Sequence, residues 1–260
     1  VSSVSQGGLE PGRSVPVHWL DEIDSTNAEA RRRAEAGDLG PVWISALRQS
    51  AGRGRRGRVW DTSTGNLAAT LLFRTDRSPA DAARTSFIAA LAVADLVAHF
   101  VPGSLVRLKW PNDVMLDGRK VCGVLIDSGR DRDTGQLWLA VGIGVNLAHA
   151  PQAVERPATA IADHLKPDIT EAPTPQQALP LLSDAFVRHM SLWDQFGFGL
   201  IAEDWTRRAV GMGGPCTARL DHETVEGLAE GLEEDGALRL RLADGSLRRI
   251  SAGDVFFART

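Results

Sequence analysis

Eleven residues at positions 48–58, RQSAGRGRRGR, constrain this chain more than any other stretch. They include five arginines (Arg48, Arg53, Arg55, Arg56, Arg58) and three glycines (Gly52, Gly54, Gly57), and no acid intervenes before Asp61. The run is flanked by VWISAL at 42–47 and LAATLLF at 67–73, two apolar segments of strand length. It therefore has to leave the core between two buried strands, which places it at the edge of a sheet. Glycines permit positive φ and let main-chain N–H groups converge, while guanidinium forks bind phosphate or carboxylate oxygens in pairs. An anion-binding loop is the chemistry this suits, and a solvated charged loop is the plain alternative.

The charge is local. The 260 residues carry a formal net charge of −4, whereas a general nucleic-acid binder is more often basic over a whole domain. The two cysteines, Cys122 and Cys216, are far apart and outside any metal-ligand spacing, which points to a reducing compartment. With no basic-then-apolar leader and no apolar run of about 18 residues, a cytoplasmic protein without a membrane span is expected. Of 29 basic residues only Lys109, Lys120 and Lys166 are lysines, and two of them lie eleven positions apart. In a chain that otherwise uses arginine, that pair suggests a place where a compact ammonium fits and a planar fork does not.

In chain order, residues 1–16 are rich in Ser, Gly and Pro and read as a flexible arm with little to bury. A short strand is expected at 17–20, then a helix of about ten residues from Asn27, with Thr26 and Glu29 at capping-box spacing. Ser25, Thr26 and Asn27 are either a helix cap or a polar cluster suited to a small ligand. Residues 79–100 form a core helix. A strand at 106–109 leads into WPNDVMLDGRKVCGVLID, where Asp117-Gly118 marks a hairpin turn. Lys109, Asn112 and Asp113 then lie at a tight break, with Lys120 on the return strand. The apolar strand at 137–147 is interrupted by Gly142 and Gly144, a sign of close approach by ligand or backbone, and Asn146 near its end needs a partner. After 157 a short helix, a Pro-rich link over 166–175, a longer helix through Trp193 and another over 200–210 are expected. From Gly211 onward, short strands separated by Asp221-His222, Asp235-Gly236 and Asp244-Gly245 predict a small antiparallel barrel. It has no catalytic constellation and reads as accessory. The expected organisation is arm 1–16, catalytic domain 17–210 and barrel 211–260.

The chain has no Walker A pattern, nucleophile elbow or Rossmann fingerprint. Many phosphate-binding cations with few acids and no nucleophile suit nucleotidyl transfer by positioning, in which a bound carboxylate attacks the α-phosphate of ATP.

Ser25-Thr26-Asn27, Gln49 followed by GRGRRGR, Trp60, KWPND at 109–113, GRKVCGVLID and GIGVNL at 142–147 together resemble biotin protein ligase. The resemblance runs from about residue 17 to the C-terminus and implies an α+β fold. Its catalytic domain would be a mixed sheet with flanking helices, like class II synthetases, followed by a small SH3-like barrel. It implies ATP-dependent activation of biotin to biotinyl-5′-AMP with Mg²⁺, then transfer to a lysine of a biotin carboxyl carrier domain of a biotin-dependent carboxylase. By position, Ser25, Thr26, Asn27 and Gln49 would hold the ureido end of biotin. Arg53, Gly54 and Arg55 would close over its carboxylate and the phosphate, and Lys120 would sit at the carboxylate and α-phosphate. Arg56, Trp60, Lys109, Asn112 and Asn146 would surround the nucleotide, and Gly123, Gly142 and Gly144 would line the pocket floor. Asn112 and Asp113 would lie near the metal, and Asp113 is also a candidate to orient or deprotonate the acceptor lysine. Only about sixteen residues precede the catalytic domain, so no operator binding is expected, nor any nucleic-acid or membrane partner. The expected state is a monomer or weak homodimer. The alternatives are a lipoate or octanoate ligase of the same fold, or an RNA- or DNA-binding module using the Arg/Gly loop.

Overall fold

The structure is a computed structural model that describes residues 9–54, 57–60, 62, 64–151, 157–220 and 222–257. Its catalytic part is built from β1 (Val17–Ile23), α1 (Thr26–Glu35), β2 (Val42–Gln49), β3 (Leu67–Thr75), α2 (Pro79–Ala83), α3 (Thr85–Phe100), β4 (Val106–Lys109), β5 (Asp113–Leu116), β6 (Arg119–Arg130), β7 (Leu137–Val145), α4 (Pro175–Phe196) and α5 (Phe198–Arg208). The seven strands form one sheet in the order β1-β2-β3-β7-β6-β5-β4. Only β1 and β2 run parallel; every other pair is antiparallel, so the sheet is mixed.

The central strands β3 and β7 are covered on both faces, which is why they read as nearly continuous apolar runs. On one face Trp43, Leu71, Phe73 and Val141 join the main core with α3, α4 and α5. On the other, Ile44, Leu72, Trp138 and Ala140 pack against Ala30 and Ala34 of α1. Strand alternation puts Gly142 and Gly144 on this α1 face.

The expected helix over 79–100 is divided at Arg84 into α2, whose N-cap Ser78 accepts from the Asp81 N–H, and α3. By length and composition the segment could cross a membrane, but it packs between the sheet and α4. Residues 9–16 depart from the expectation of a flexible arm with little to bury, since Leu9 and Val15 enter the main core; residues 1–8 lie outside the described residues. The Thr26–Glu29 capping box does not form. Ser25 is the N-cap and Thr26 turns inward. The short helix after 157 is a single 3₁₀ turn at Ile161–His164.

The C-terminal strands β8 (Pro215–Arg219), β9 (Thr224–Leu232), β10 (Leu238–Arg241), β11 (Leu247–Ile250) and β12 (Asp254–Phe257) form a five-stranded antiparallel sheet, ordered β11-β10-β9-β8-β12. This is the small SH3-like unit expected. Its apolar face, including Ala218, Leu238, Leu240 and Val255, is continuous with the main core. Two further contacts fasten it: the Trp110 indole N–H donates to the Gly236 carbonyl at 3.0 Å, and Val210 N–H donates to the Leu108 carbonyl at 2.8 Å.

Candidate active site

A cavity of about 510 Å³ opens on the α1 face of the sheet, at the size of a small-ligand pocket. The arginine run leaves the ends of β2 and β3, second and third in the sheet, so it crosses the end of the sheet rather than its edge. Residues 52–54 and 58–60 of the run pair with each other, Gly54 N–H donating to the Arg58 carbonyl at 2.7 Å and Trp60 N–H to the Gly52 carbonyl at 3.0 Å. A Cβ on Gly52 would overlap the Trp60 carbonyl, so glycine is required there. Arg53 and Gly54 line the cavity, while Arg55 and Arg56 lie outside the described residues.

One end of the cavity is polar and buried. Gln49 Oε1 accepts from Thr26 N–H at 2.8 Å and from the Thr26 hydroxyl at 3.1 Å, and Gln49 Nε2 donates to the Thr62 hydroxyl at 2.9 Å. The Thr70 hydroxyl lies 2.8 Å from Thr26 Oγ1 and 2.7 Å from Asn27 Oδ1. Asn27 Nδ2 donates to Asp127 at 3.0 Å. Ser25 N–H donates to Asp24, whose carboxyl is held at about 2 by the hydrogen-bonded Arg32 guanidinium. The cluster is thus a set of donors and acceptors fixed by one another, as a ligand with a compact polar ring requires.

The other end is cationic. Lys120 Nζ pairs with Asp113 at 2.6 Å and lies 5.8 Å from the centre of the Trp60 ring. The Lys120 backbone is held in both directions, its N–H donating to the Pro157 carbonyl and its carbonyl accepting from Thr159 N–H, each at 3.0 Å. Lys109 Nζ stands 5.6 Å above the Phe256 ring. Asn112 and Asn146 line the wall, but their amide groups also serve the fold: Asn112 Nδ2 donates to the Val124 carbonyl and Asn146 Nδ2 to the Thr159 carbonyl.

Gly123, Gly142 and Gly144 line the cavity, yet the close approach they allow is to the protein itself. A Cβ at Gly142 would overlap the Asn27 amide, and one at Gly144 the Trp60 indole. At Gly123 it would come within 3.0 Å of the same indole. The glycine signal was right about crowding, and what crowds these positions is Asn27 and Trp60.

Residues 21–146 match the biotin/lipoate A/B protein ligase family, and residues 212–258 match the biotin protein ligase C terminal domain. The chain is 42% identical to the biotin–[acetyl-CoA-carboxylase] ligase of Paracoccus denitrificans over 241 residues, 92% of this chain and 99% of that relative. The chain belongs to the biotin protein ligase family. Its fold is that of the biotin protein ligase of Aquifex aeolicus in complex with biotin and ATP, with a TM-score of 0.75, 22% identity and coverage of 94% and 99% of the two chains. It is also similar to the Leishmania major biotin protein ligase in complex with biotinyl-5-AMP, with a TM-score of 0.64 and 27% identity over 92% of this chain and all of that one.

As a member of the biotin protein ligase family, the chain has site residues that sequence reasoning passed over. Thr70 looks like an ordinary β-branched strand residue, and Asp127 like the end of a strand. Asp254 and Val255 of β12 line the cavity, and Asp254 pairs with Arg58 at 3.5 Å, so the barrel is part of the site rather than an accessory to it. Burial pushes the Cys122 thiol well above its usual range, which leaves it inert. Asp113 and Asn112 do not make a resident magnesium site. Among the described residues no group of three metal-ligating side chains occurs, and the one carboxylate is engaged by Lys120.

Proposed function

We propose that this chain activates biotin with ATP and transfers it to a lysine of a biotin carboxyl carrier domain; its Paracoccus relative is named a biotin–[acetyl-CoA-carboxylase] ligase, which supports the reading. The observation that carries the reading is one cavity with a buried hydrogen-bonding end at Ser25, Thr26, Asn27 and Gln49, backed by Thr70, and a cationic end at Lys120, Lys109 and Arg53. Biotin's ureido ring suits the first and its carboxylate points toward the second, where Trp60 offers a flat face to the nucleotide base.

A biotin carboxylate oxygen attacks the α-phosphorus, the bond to the β-phosphate bridging oxygen breaks, and pyrophosphate leaves with the electron pair. Lys120 exchanges Asp113 for the new anion and stabilises charge building on the α-phosphoryl oxygens. In the second half-reaction a neutral acceptor amine attacks the carbonyl carbon of the mixed anhydride and AMP departs. Asp113, which lines the same cavity beside Lys120, is the group that orients the amine or takes its proton. The paired residues 52–54 and 58–60 at the cavity help to keep water from the anhydride. Three of the barrel's described arginines pair with its own carboxylates, Arg241 with Glu230, Arg248 with Glu223 and Arg249 with Asp235, which supports a protein rather than a nucleic-acid partner.

The deciding assay is pyrophosphate release with ATP and either biotin or lipoate, followed by addition of a carrier domain. Release with biotin alone and labelling of a single carrier lysine are expected. Release with lipoate instead would assign the cavity to the other acid, and no release with either would refute the reading.

A further inference from the structure

We propose that Asp127 is a positioning residue that sets the direction of the hydrogen-bond chain at the polar end of the cavity, and that this direction makes the end select a ring with an N–H donor. The inference rests on the reading that this end takes the ureido ring of biotin. Neither Asp127 nor Thr70 lines the cavity, so both act through residues that do. The Gln49 amide is fixed, its Oε1 accepting from Thr26 N–H at 2.8 Å and its Nε2 donating to the Thr62 hydroxyl at 2.9 Å. The Asn27 amide is fixed as well. A carboxylate offers only acceptors, so the Asn27 nitrogen faces Asp127 Oδ2 at 3.0 Å and its oxygen faces the Thr70 hydroxyl.

Two hydroxyls stand between these two amide oxygens. Gln49 Oε1 lies 3.1 Å from Thr26 Oγ1, which lies 2.8 Å from Thr70 Oγ1, which lies 2.7 Å from Asn27 Oδ1. Three contacts share two protons, because a hydroxyl donates once and an amide oxygen not at all. With the Thr70 proton given to Asn27 Oδ1, both Thr70 and Gln49 claim the Thr26 proton, and none is left for a ligand. Thr70 is fully buried, so the missing donor has to come from whatever fills the cavity beside Thr26, Asn27 and Gln49. A ring N–H supplies it, whereas a ring oxygen adds one more acceptor where acceptors are already in excess. Asp127 is the origin of the deficit. With a group able to donate in place of its carboxylate, Asn27 would be free to turn its nitrogen to Thr70, because the other acceptor on that side, the Leu125 carbonyl at 3.4 Å, is beyond the usual range. Asn27 would then donate to Thr70 and Thr70 to Thr26, and the Thr26 proton would be free to meet a ligand oxygen.

The test compares the unaltered protein with Asp127→Asn and Thr70→Val, each close in shape to the residue it replaces. Calorimetry without ATP measures the affinity for biotin and for the two cyclic carbamates in which one or the other ureido N–H is replaced by a ring oxygen. In the unaltered protein at least one carbamate should bind about 10²-fold or more weakly than biotin, the loss expected where a site needs a donor and meets an acceptor. Asp127→Asn should shrink that ratio to about tenfold or less, because Thr26 regains a proton for the ligand. Thr70→Val cuts the chain between Thr26 and Asn27 and should shrink it as far, and the two substitutions together should do no more than either alone. A carboxylate needed only for packing would weaken biotin and carbamate alike, so an unchanged ratio in Asp127→Asn overturns the inference. Additive effects in the double variant, or an unaltered protein that barely discriminates, overturn it too. Should Asp127→Asn not fold, the ratio in Thr70→Val decides in the same way. Failure of the unaltered protein to bind biotin at all refutes the proposed function, and this inference with it, whereas binding with an unchanged ratio refutes the role of Asp127 alone.

Discussion

Lys120 places a compact ammonium where this chain otherwise prefers a guanidinium. Its ammonium lies between Asp113 and the Trp60 ring, and a Cβ placed on Gly123 would come within 3.5 Å of its Nζ. A guanidinium fork is wider and cannot turn between carboxylate and substrate as a point charge does. Lys120→Arg should therefore fold normally, because the side chain is partly exposed, and lower pyrophosphate release by about 10²-fold, the usual loss when one preorganised charge is misplaced. Near-normal turnover in that assay would remove Lys120 from the role proposed. The residue stood out because lysine is rare here and Lys109 and Lys120 lie only eleven positions apart. Lys166 donates to the Ala98 and His99 carbonyls and caps α3 instead. Asp254 was not legible: its partner Arg58 is almost two hundred positions away, and nothing in an alternating strand marks the residue that meets a distant loop. Thr70 was hidden by its own suitability for a strand, since a hydroxyl inside an apolar run carries no sign of which helix it faces.

On β7, two glycines two residues apart serve different ends of the cavity. Gly142 makes room for Asn27 and Gly144 for Trp60, so a methyl group on each should separate the two ligands. Gly142→Ala should weaken biotin binding by at least about tenfold, whereas Gly144→Ala should chiefly raise the KM for ATP, each with an overpacking cost of about 1–3 kcal/mol. Calorimetry for biotin and pyrophosphate kinetics for ATP read the two effects; identical profiles would mean that strand distortion, not the neighbouring side chain, dominates. A second element-level joint lies far from the cavity. Asp95 of α3 meets Arg188 and His189 of α4 and Arg208 of α5 at 2.7, 2.8 and 2.5 Å. Burial alone would raise its carboxyl pKa, but the bonds from His189 and Arg208 outweigh it and hold the group well below the usual carboxylate range. A depressed folded-state pKa contributes stability that is complete above the unfolded value, about 3.9, and is lost as pH falls toward the folded one. Asp95→Asn should cost about 2 kcal/mol at pH 7, and urea unfolding at pH 3 should show a smaller difference from the unaltered protein. A gap that stays constant with pH would assign the effect to packing. The strands and long helices were readable from periodicity, but this joint was not, because each of its charges looks like a solvated face on its own helix.

At the scale of the whole molecule, the barrel and the catalytic sheet share one core and one catalytic wall. Apolar residues of β8, β9, β10 and β12 belong to the same cluster as α3 and β7, and the Trp110 indole, 2% exposed, reaches across to the Gly236 carbonyl. Gly236 in turn lies so close to Phe87 that a Cβ there would come within 2.6 Å of its ring. Units joined in this way should unfold together, so calorimetry should show one transition rather than two. Trp110→Phe keeps an aromatic ring but removes the donor, leaves a buried carbonyl without it and opens a small void, at a cost of about 2–3 kcal/mol. That corresponds to a Tm lower by roughly 5–10 °C for a chain of this size, still in a single transition. Splitting into two transitions would show that the tryptophan, and not the shared apolar face, is what couples the units. The same substitution tests why KWPND carries a tryptophan. If Trp110 sets the break at which Asn112 and Asp113 turn toward the cavity, transfer to the carrier lysine should fall in Trp110→Phe at temperatures where the protein is fully folded. Activity that tracks only the folded fraction would confine Trp110 to stability.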